Sequence, residues 1–110
     1  MDYNISSFFD EEQKCWLVDI SGEVDIFKSQ EFRAYLLLLM DKNRSDIRMD
    51  CAGLEYIDST ALGALVSVLK RVREYGGEIS LSNVKSNIRK LFRITGLDRV
   101  LSVEGDDADD

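Results

Sequence analysis

Apolar runs of strand length alternate with amphipathic helical stretches along almost the whole chain, and no other feature of the sequence constrains its fold as strongly. The pattern predicts strands at about residues 3–9, 15–20, 47–51, 78–82 and 100–103. Helical spacing of apolar residues predicts helices at about residues 30–42 and 60–75 and, after a cap at residue 86, through about residue 95. The expected order β-β-α-β-α-β-α-β implies right-handed βαβ crossovers and an α/β fold with a mostly parallel sheet.

The first two predicted strands are joined by a short polar segment, residues 10–14, which is typical of a hairpin. We therefore expect a mixed sheet with an N-terminal hairpin and with helices packed on it. The 110 residues are enough for one domain and too few for two ordinary ones. We assign residues 1–103 to that domain and expect the acidic segment 104–110 to be a disordered tail.

Particular residues are expected to set the ends and faces of the helices. Ser29 and Ser86 are predicted N-caps, and Gly96 is predicted to end the third helix. In the second helix the apolar stripe comprises Leu62, Leu65, Val66, Leu69 and Val72. The leucine run at residues 36–39 of the first helix is wider than one buried face, which leaves open an exposed strip for self-association.

The composition disfavours several classes of function. There is no histidine, which removes Ser–His and Cys–His nucleophile pairs, the commonest general base and the usual transition-metal ligand. Carboxylate or lysine chemistry stays open, but an enzyme is not the expected function. Cys15 and Cys51 lie in strand-like segments and are expected to be buried free thiols, without a disulfide or a metal site.

Charge and hydropathy bear on location and on partners. The net charge of −7 disfavours binding to nucleic acid, which depends on neutralising phosphates. The longest strongly apolar run, residues 34–40, is far shorter than a membrane crossing requires, and the N-terminus lacks the features of a secretory signal. We expect a cytoplasmic protein with neither nucleic acid nor membrane as a partner.

Two loops that follow predicted strands carry the candidate functional residues, since ligands of open α/β sheets meet the loops beyond the carboxyl ends of strands. One loop spans residues 22–25, and the other ends in Asp58, Ser59 and Thr60 just before the second helix. These three residues favour a helix N-terminus, where free N–H groups and the helix dipole favour negative charge. They are explained either by a well-capped helix or by a hydroxyl that accepts a phosphoryl group without melting the helix.

Residues 56–65, Tyr-Ile-Asp-Ser-Thr-Ala-Leu-Gly-Ala-Leu, resemble the signature of STAS-domain anti-sigma factor antagonists, with its Asp-Ser-(Ser/Thr)-Gly-Leu-Gly core. Residues 22–25 are similar to the Gly-Glu-Leu-Asp turn of that family, and residues 47–51 to its Val-Leu-Asp-Leu strand. With chain length and element order, the resemblance covers residues 3–103. The family more often has glycine at Ala61, and a methyl group there is expected to affect how closely a partner backbone approaches.

The resemblance implies a partner-switching role. In this family the unphosphorylated antagonist binds a histidine-kinase-like anti-sigma factor and frees the sigma factor. That partner is also a serine kinase, and it phosphorylates the serine after the aspartate to end binding; a PP2C-type phosphatase restores the active form. Ser59 would be the phosphoacceptor and Thr60 its substitute. The implied partner surface comprises Asp25, Asp58, Ser59, Thr60, Leu62 and Gly63.

The same resemblance implies that the chain has no cofactor, because the phosphate comes from ATP bound by the partner kinase. The sequence leaves the oligomeric state open, with a monomer favoured. Two other functions stay open. One is a STAS scaffold or adaptor of a transporter or signalling complex, without phosphorylation. The other is a phosphoaspartate receiver domain with Asp50 as acceptor, which requires Asp10 and Glu11 to hold magnesium after a parallel, central first strand. A serine hydrolase built on Ser59 is excluded, because both histidine and a Gly-x-Ser-x-Gly elbow are missing.

Overall fold

The computed structural model describes residues 3–105. Its elements are β1 (Asn4–Asp10), β2 (Cys15–Val24), α1 (Ser29–Lys42), β3 (Asp46–Ile57), α2 (Ser59–Glu74), β4 (Ile79–Val84), α3 (Ser86–Thr95) and β5 (Ser102–Gly105). A short 3-10 turn, Leu97–Arg99, leads from α3 to β5. This order confirms the predicted α/β fold.

The strands of the described region form one sheet in the order β1-β2-β3-β4-β5, so spatial order equals chain order. The β1 strand is antiparallel to β2, which confirms the N-terminal hairpin, and the remaining neighbours are parallel. Since the strand order never reverses, right-handed crossovers all lead in the same direction and place the helices on one face. The other face stays open.

Burial along the strands follows this one-sided architecture. In β3, Ile47 and Met49 are buried, whereas Arg48 between them is exposed. The same alternation in β2 exposes Leu17 and buries Val18. Residues of α1 and α2 complete the core over this face, and each fully buried large aliphatic side chain stabilises the fold by about 1.5–3 kcal/mol.

Both cysteines are buried free thiols, as predicted. Burial raises the pKa of Cys51 to about 12, with the nearby carboxylates of Asp50 and Asp19 adding to the effect. Of the four leucines at residues 36–39, Leu36 and Leu39 lie in the core, Leu37 is partly buried, and Leu38 is 55% exposed. The leucine run is therefore mainly a core element.

The ends of β2 and β3 differ from the sequence prediction. Both strands were expected to stop early, β2 at residue 20 and β3 at residue 51, but they continue side by side until Val24 pairs with Ile57. The register between β2 and β3 shifts at two places, near Gly22 and Gly53. A Cβ on Gly53 would lie 2.7 Å from that of Ser21. These glycines mark bulges and a close backbone approach rather than loops.

The helix ends require smaller corrections. Ser29 and Ser86 are the first residues of α1 and α3, while Lys28 and Lys85 occupy the capping positions. The Ser29 hydroxyl donates to the carbonyl oxygen of Ile26 at 3.3 Å instead. Gly96 ends α3 as predicted, and its φ of 77° is the left-handed conformation that favours glycine.

The last strand, Ser102–Gly105, continues two residues past the predicted domain boundary at 103. The rest of the predicted tail, residues 106–110, lies outside the described residues. Within residues 3–105, no helix has the length and apolar character that crossing a membrane requires.

Candidate functional site

The carboxyl ends of β2 and β3 lie next to each other and bring two predicted site residues together. Asp25 directly follows Val24, and Asp58 directly follows its pairing partner Ile57. The Asp58 backbone N–H donates to the Val24 carbonyl at 3.3 Å, which joins the two strand ends. The strand order has no reversal, so there is no switch-point crevice, and the site is an exposed surface at this edge of the sheet.

Asp58 is the N-cap of α2. Its backbone is extended, and its carboxylate oxygen Oδ1 accepts the N–H of Ala61 at 3.0 Å. Its carbonyl accepts the N–H of Leu62, also at 3.0 Å. A cap of this kind typically stabilises a helix by about 0.5–2 kcal/mol. The aspartate therefore performs the structural task that the sequence pattern left shared among three residues.

Ser59 and Thr60 form the first turn of α2, and both are exposed. Within residues 3–105, neither hydroxyl takes part in a hydrogen bond. The helix behind them has 16 residues and is held to the core by buried side chains. A group attached to either hydroxyl would reach solvent at the positive end of a firmly packed helix.

Asp25 holds the turn that leads into α1. Its Oδ1 accepts the N–H of Phe27 at 3.0 Å, and its carbonyl accepts the N–H groups of Lys28 and Ser29. This turn leaves Ile26 59% exposed and Phe27 85% exposed. The sequence analysis missed these two side chains. Their signal was an apolar pair between a strand end and a helix start, where polar turn residues are usual.

Leu62, Gly63 and Ala61 occupy different faces of the first two turns of α2. Leu62 is 5% exposed, so its side chain belongs to the core rather than to the exposed surface around Ser59. Gly63 is exposed, and a Cβ at this position would meet no atom within 4 Å. Ala61 is fully buried, so its methyl does not face a partner, contrary to expectation.

A groove of about 450 Å³ runs between α1 and α2 and begins at Thr60. We call it the helix groove, and the residues that define it are Ile26, Gln30, Arg33, Thr60, Gly63 and Ser67. Arg33 spans the groove, since its Nε donates to the Ser67 hydroxyl oxygen at 2.9 Å. The groove extends the exposed surface around Asp25, Asp58 and Ser59 along the two helices.

The receiver-domain hypothesis is wrong for this fold. Asp50 lies in the middle of β3 rather than at its end, and its Oδ1 accepts from Ala52 N–H and Asn83 Nδ2 at 3.0 and 3.1 Å. The antiparallel edge strand β1 brings Asp10 level with Asp46, about 13 Å along the sheet from Asp50. Residues 3–105 also contain no cluster of three or more cysteine or acidic side chains that could hold a metal ion.

Comparisons with known proteins agree with this architecture. The sequence model of the STAS domain family matches residues 9–108. The anti-sigma-B factor antagonist of Bacillus subtilis (strain 168) is 34% identical over 86 residues, which cover 78% of this chain and 78% of that protein.

Two solved structures show the same fold. The Thermotoga maritima protein TM1081 superposes with a TM-score of 0.83 at 20% identity, covering 96% of this chain and 89% of that one. The Bacillus cell fate determinant SpoIIAA in its phosphorylated form gives 0.67 at 16% identity, covering 98% and 95%. The expected STAS-like fold is thereby confirmed.

Proposed function

The chain belongs to the STAS-domain family of anti-sigma factor antagonists, and we propose that it acts as such an antagonist by partner switching in the cytoplasm. The unphosphorylated protein binds a serine-kinase anti-sigma factor through the surface around Asp25, Asp58 and Ser59, and this binding releases the sigma factor. Phosphorylation of Ser59 ends the interaction, and a PP2C-type phosphatase restores it. The chain itself performs no catalysis and needs no cofactor.

The observation that carries this proposal is the division of tasks at the start of α2. Asp58 caps the helix, while the neighbouring Ser59 hydroxyl is exposed and makes no internal hydrogen bond within the described region. A kinase can therefore modify Ser59 without removing a contact on which the fold depends. Two other proteins support the proposal. The Bacillus subtilis relative is an anti-sigma-B factor antagonist, and SpoIIAA, which has the same fold, has been solved in a phosphorylated form.

The electrostatics favour loss of the complex over loss of the fold. A phosphoserine adds about −1.5 to −2 charges. At the N-terminus of α2 the helix dipole stabilises that charge by about 0.3–1 kcal/mol, or up to about 2 in favourable geometry. In the complex, a partner would cover this third negative group together with Asp25 and Asp58, and burying a charge that has no opposite charge beside it costs several kcal/mol. The switch therefore acts on the interface.

Incubation with a candidate anti-sigma kinase and ATP tests the proposal directly. Intact-mass analysis should show addition of one phosphoryl group, and tandem mass spectrometry should locate it on Ser59, with Thr60 as the only acceptable substitute. A phosphate in β4 or on Ser86 would contradict the proposal. Binding to a partner without any phosphorylation would favour the STAS scaffold or adaptor role instead.

A further inference from the structure

We propose that the helix groove is a second contact point for the same anti-sigma factor, in which Arg33 binds a carboxylate of the partner and Ile26 and Phe27 contact an apolar side chain beside it. This inference rests on the proposed function, because it assumes the same partner. It adds a site of defined chemistry to the surface around Ser59.

Arg33 defines the charge of the groove. It is the only charged residue among those that line it, and within residues 3–105 its only polar contact is the neutral Ser67 hydroxyl. A guanidinium has five N–H donors in a fixed fork, and Nε alone is engaged here. The two terminal nitrogens are left to donate to a planar acceptor, and a carboxylate fits that geometry in a bidentate pair. The groove therefore fits an acidic side chain.

The apolar part of the contact lies at the mouth of the groove. Ile26 lines the groove, and the adjacent Phe27, at 85%, is the most exposed large apolar side chain of the described residues. The hydrogen bond from Phe27 N–H to Asp25 fixes the turn that presents both side chains. Aromatic side chains, phenylalanine among them, are enriched at protein–protein interfaces, where a partner covers them.

Gly63 connects the groove to the proposed phosphoacceptor. It follows Ser59 by four residues in α2, so the two lie on the same side of the helix, one turn apart. Glycine inside a helix destabilises it by about 0.5–1 kcal/mol relative to alanine, although the space here would accept a Cβ. The missing side chain lowers the wall of the groove, so that a partner segment can approach the α2 backbone. The groove and the Ser59 surface thus form one continuous face.

Charge reversal at Arg33 tests the inference, with Arg71→Glu as the matched control. Arg71 lies at the opposite end of the same helix pair, exposed and weakly paired with Glu74 at 3.8 Å, and its reversal changes the net charge equally. Affinity for the candidate anti-sigma kinase would be measured by titration calorimetry with unphosphorylated protein. Arg33→Glu should weaken binding about tenfold or more, and Arg71→Glu less than about threefold.

Two further variants separate the charge from local structure. Arg33→Gln removes the positive charge without adding a negative one, and should weaken binding by less than Arg33→Glu but by more than Arg71→Glu. Replacing the carboxylates of the partner one at a time by lysine should identify one variant that recovers binding to Arg33→Glu. Melting temperatures of all variants close to that of wild type would show that a loss of binding is not caused by misfolding.

The outcomes distinguish this inference from the proposed function. Suppose that wild type binds the kinase and that Ser59→Asp binds it poorly. If Arg33→Glu then binds like Arg71→Glu, the proposed function stands and only the groove contact is wrong. If wild type does not bind the kinase, both proposals fail together. A loss in Arg33→Glu that no partner variant recovers also overturns the carboxylate contact.

Discussion

Asp58 and Ser59 are neighbours with different tasks at the start of one helix. The carboxylate of Asp58 accepts the Ala61 N–H, so the helix is capped before Ser59 is reached. The serine hydroxyl is therefore not needed as a helix cap, which makes it suitable for reversible modification. The sequence pattern could not separate the two roles, because aspartate, serine and threonine are all good caps and only the backbone geometry shows which residue precedes the first turn.

We therefore expect Asp58→Ala and Ser59→Ala to differ in stability. Asp58→Ala should lower the free energy of unfolding by about 0.5–2 kcal/mol, because it removes the cap, whereas Ser59→Ala should change it by only a few tenths. Urea denaturation of both variants measures the difference. Equal destabilisation by the two substitutions would show that the serine has a structural role after all.

Binding should respond to Ser59 in the opposite way. Ser59→Ala should still bind the anti-sigma kinase and should no longer be switched off by ATP. Ser59→Asp adds a charge beside Asp25 and Asp58 and should weaken the complex by a few kcal/mol, although one carboxylate mimics phosphate incompletely. Affinities of both variants, with and without ATP, decide the matter, and an affinity of Ser59→Asp equal to wild type would favour the scaffold role.

The buried thiol of Cys51 should make the fold sensitive to alkaline pH. Burial raises its pKa from 9.0 to about 12, so between these values the unfolded chain has lost a proton that the folded chain keeps. Stability then falls as pH rises above 9, by up to about 1.4 kcal/mol per pH unit. In Cys51→Ala the decline measured by denaturation should be shallower above pH 9, and an unchanged slope would contradict the assignment. Tyr3, whose pKa burial raises to about 12, keeps some slope above pH 10.

Among the elements, α2 carries both core residues and the proposed partner-binding residues. The orientation of the helix about its own axis decides which of its side chains are exposed. Leu62 was predicted for both the apolar stripe and the partner surface, and its side chain lies in the core. The order of elements followed from periodicity, which is a local property. The ends of β2 and β3 did not, because Gly22 and Gly53 appear as chain breakers until the pairing of the two strands is known.

Two glycines offer a matched test of element geometry, since a Cβ at either position would meet no atom within 4 Å. Gly63 lies inside α2, so Gly63→Ala should raise the free energy of unfolding by about 0.5–1 kcal/mol. Gly96 has φ 77°, so Gly96→Ala should lower it by about 1–2 kcal/mol.

Thermal and urea unfolding of the two variants, compared with wild type, measure these opposite signs. A loss of stability in Gly63→Ala would show that its neighbourhood is more crowded than the structure indicates. A gain in Gly96→Ala would contradict the left-handed end of α3.

At the scale of the whole molecule, one-sided packing separates the core from the switch. The helices bury one face of the sheet, while Ser59 lies at the strand-end edge, outside that core. The one-sided arrangement was not predictable from periodicity, because it follows from a strand order that never reverses. The exposed Ile26 and Phe27 were likewise visible only once the turn at Asp25 had been located.

Phosphorylation should consequently leave the fold intact. Circular dichroism of the phosphorylated and unphosphorylated proteins should show the same helix content, and their melting temperatures should differ by only a few degrees, since the dipole and the nearby carboxylates partly offset each other. Backbone amide shifts in NMR spectra should change near Ser59 and the start of α1. Broad loss of helix would contradict a switch confined to the interface.

The identity of spatial and chain order in the sheet also bears on how the protein is made. Every strand pairs with the one synthesised just before it, so no early strand must keep a gap open for a later one. Each βαβ closure spans a single helix, which keeps the entropy of loop closure modest. Because domains fold while the ribosome is still adding residues, this sheet can grow by one strand at a time from the hairpin onward, with β5 joining last.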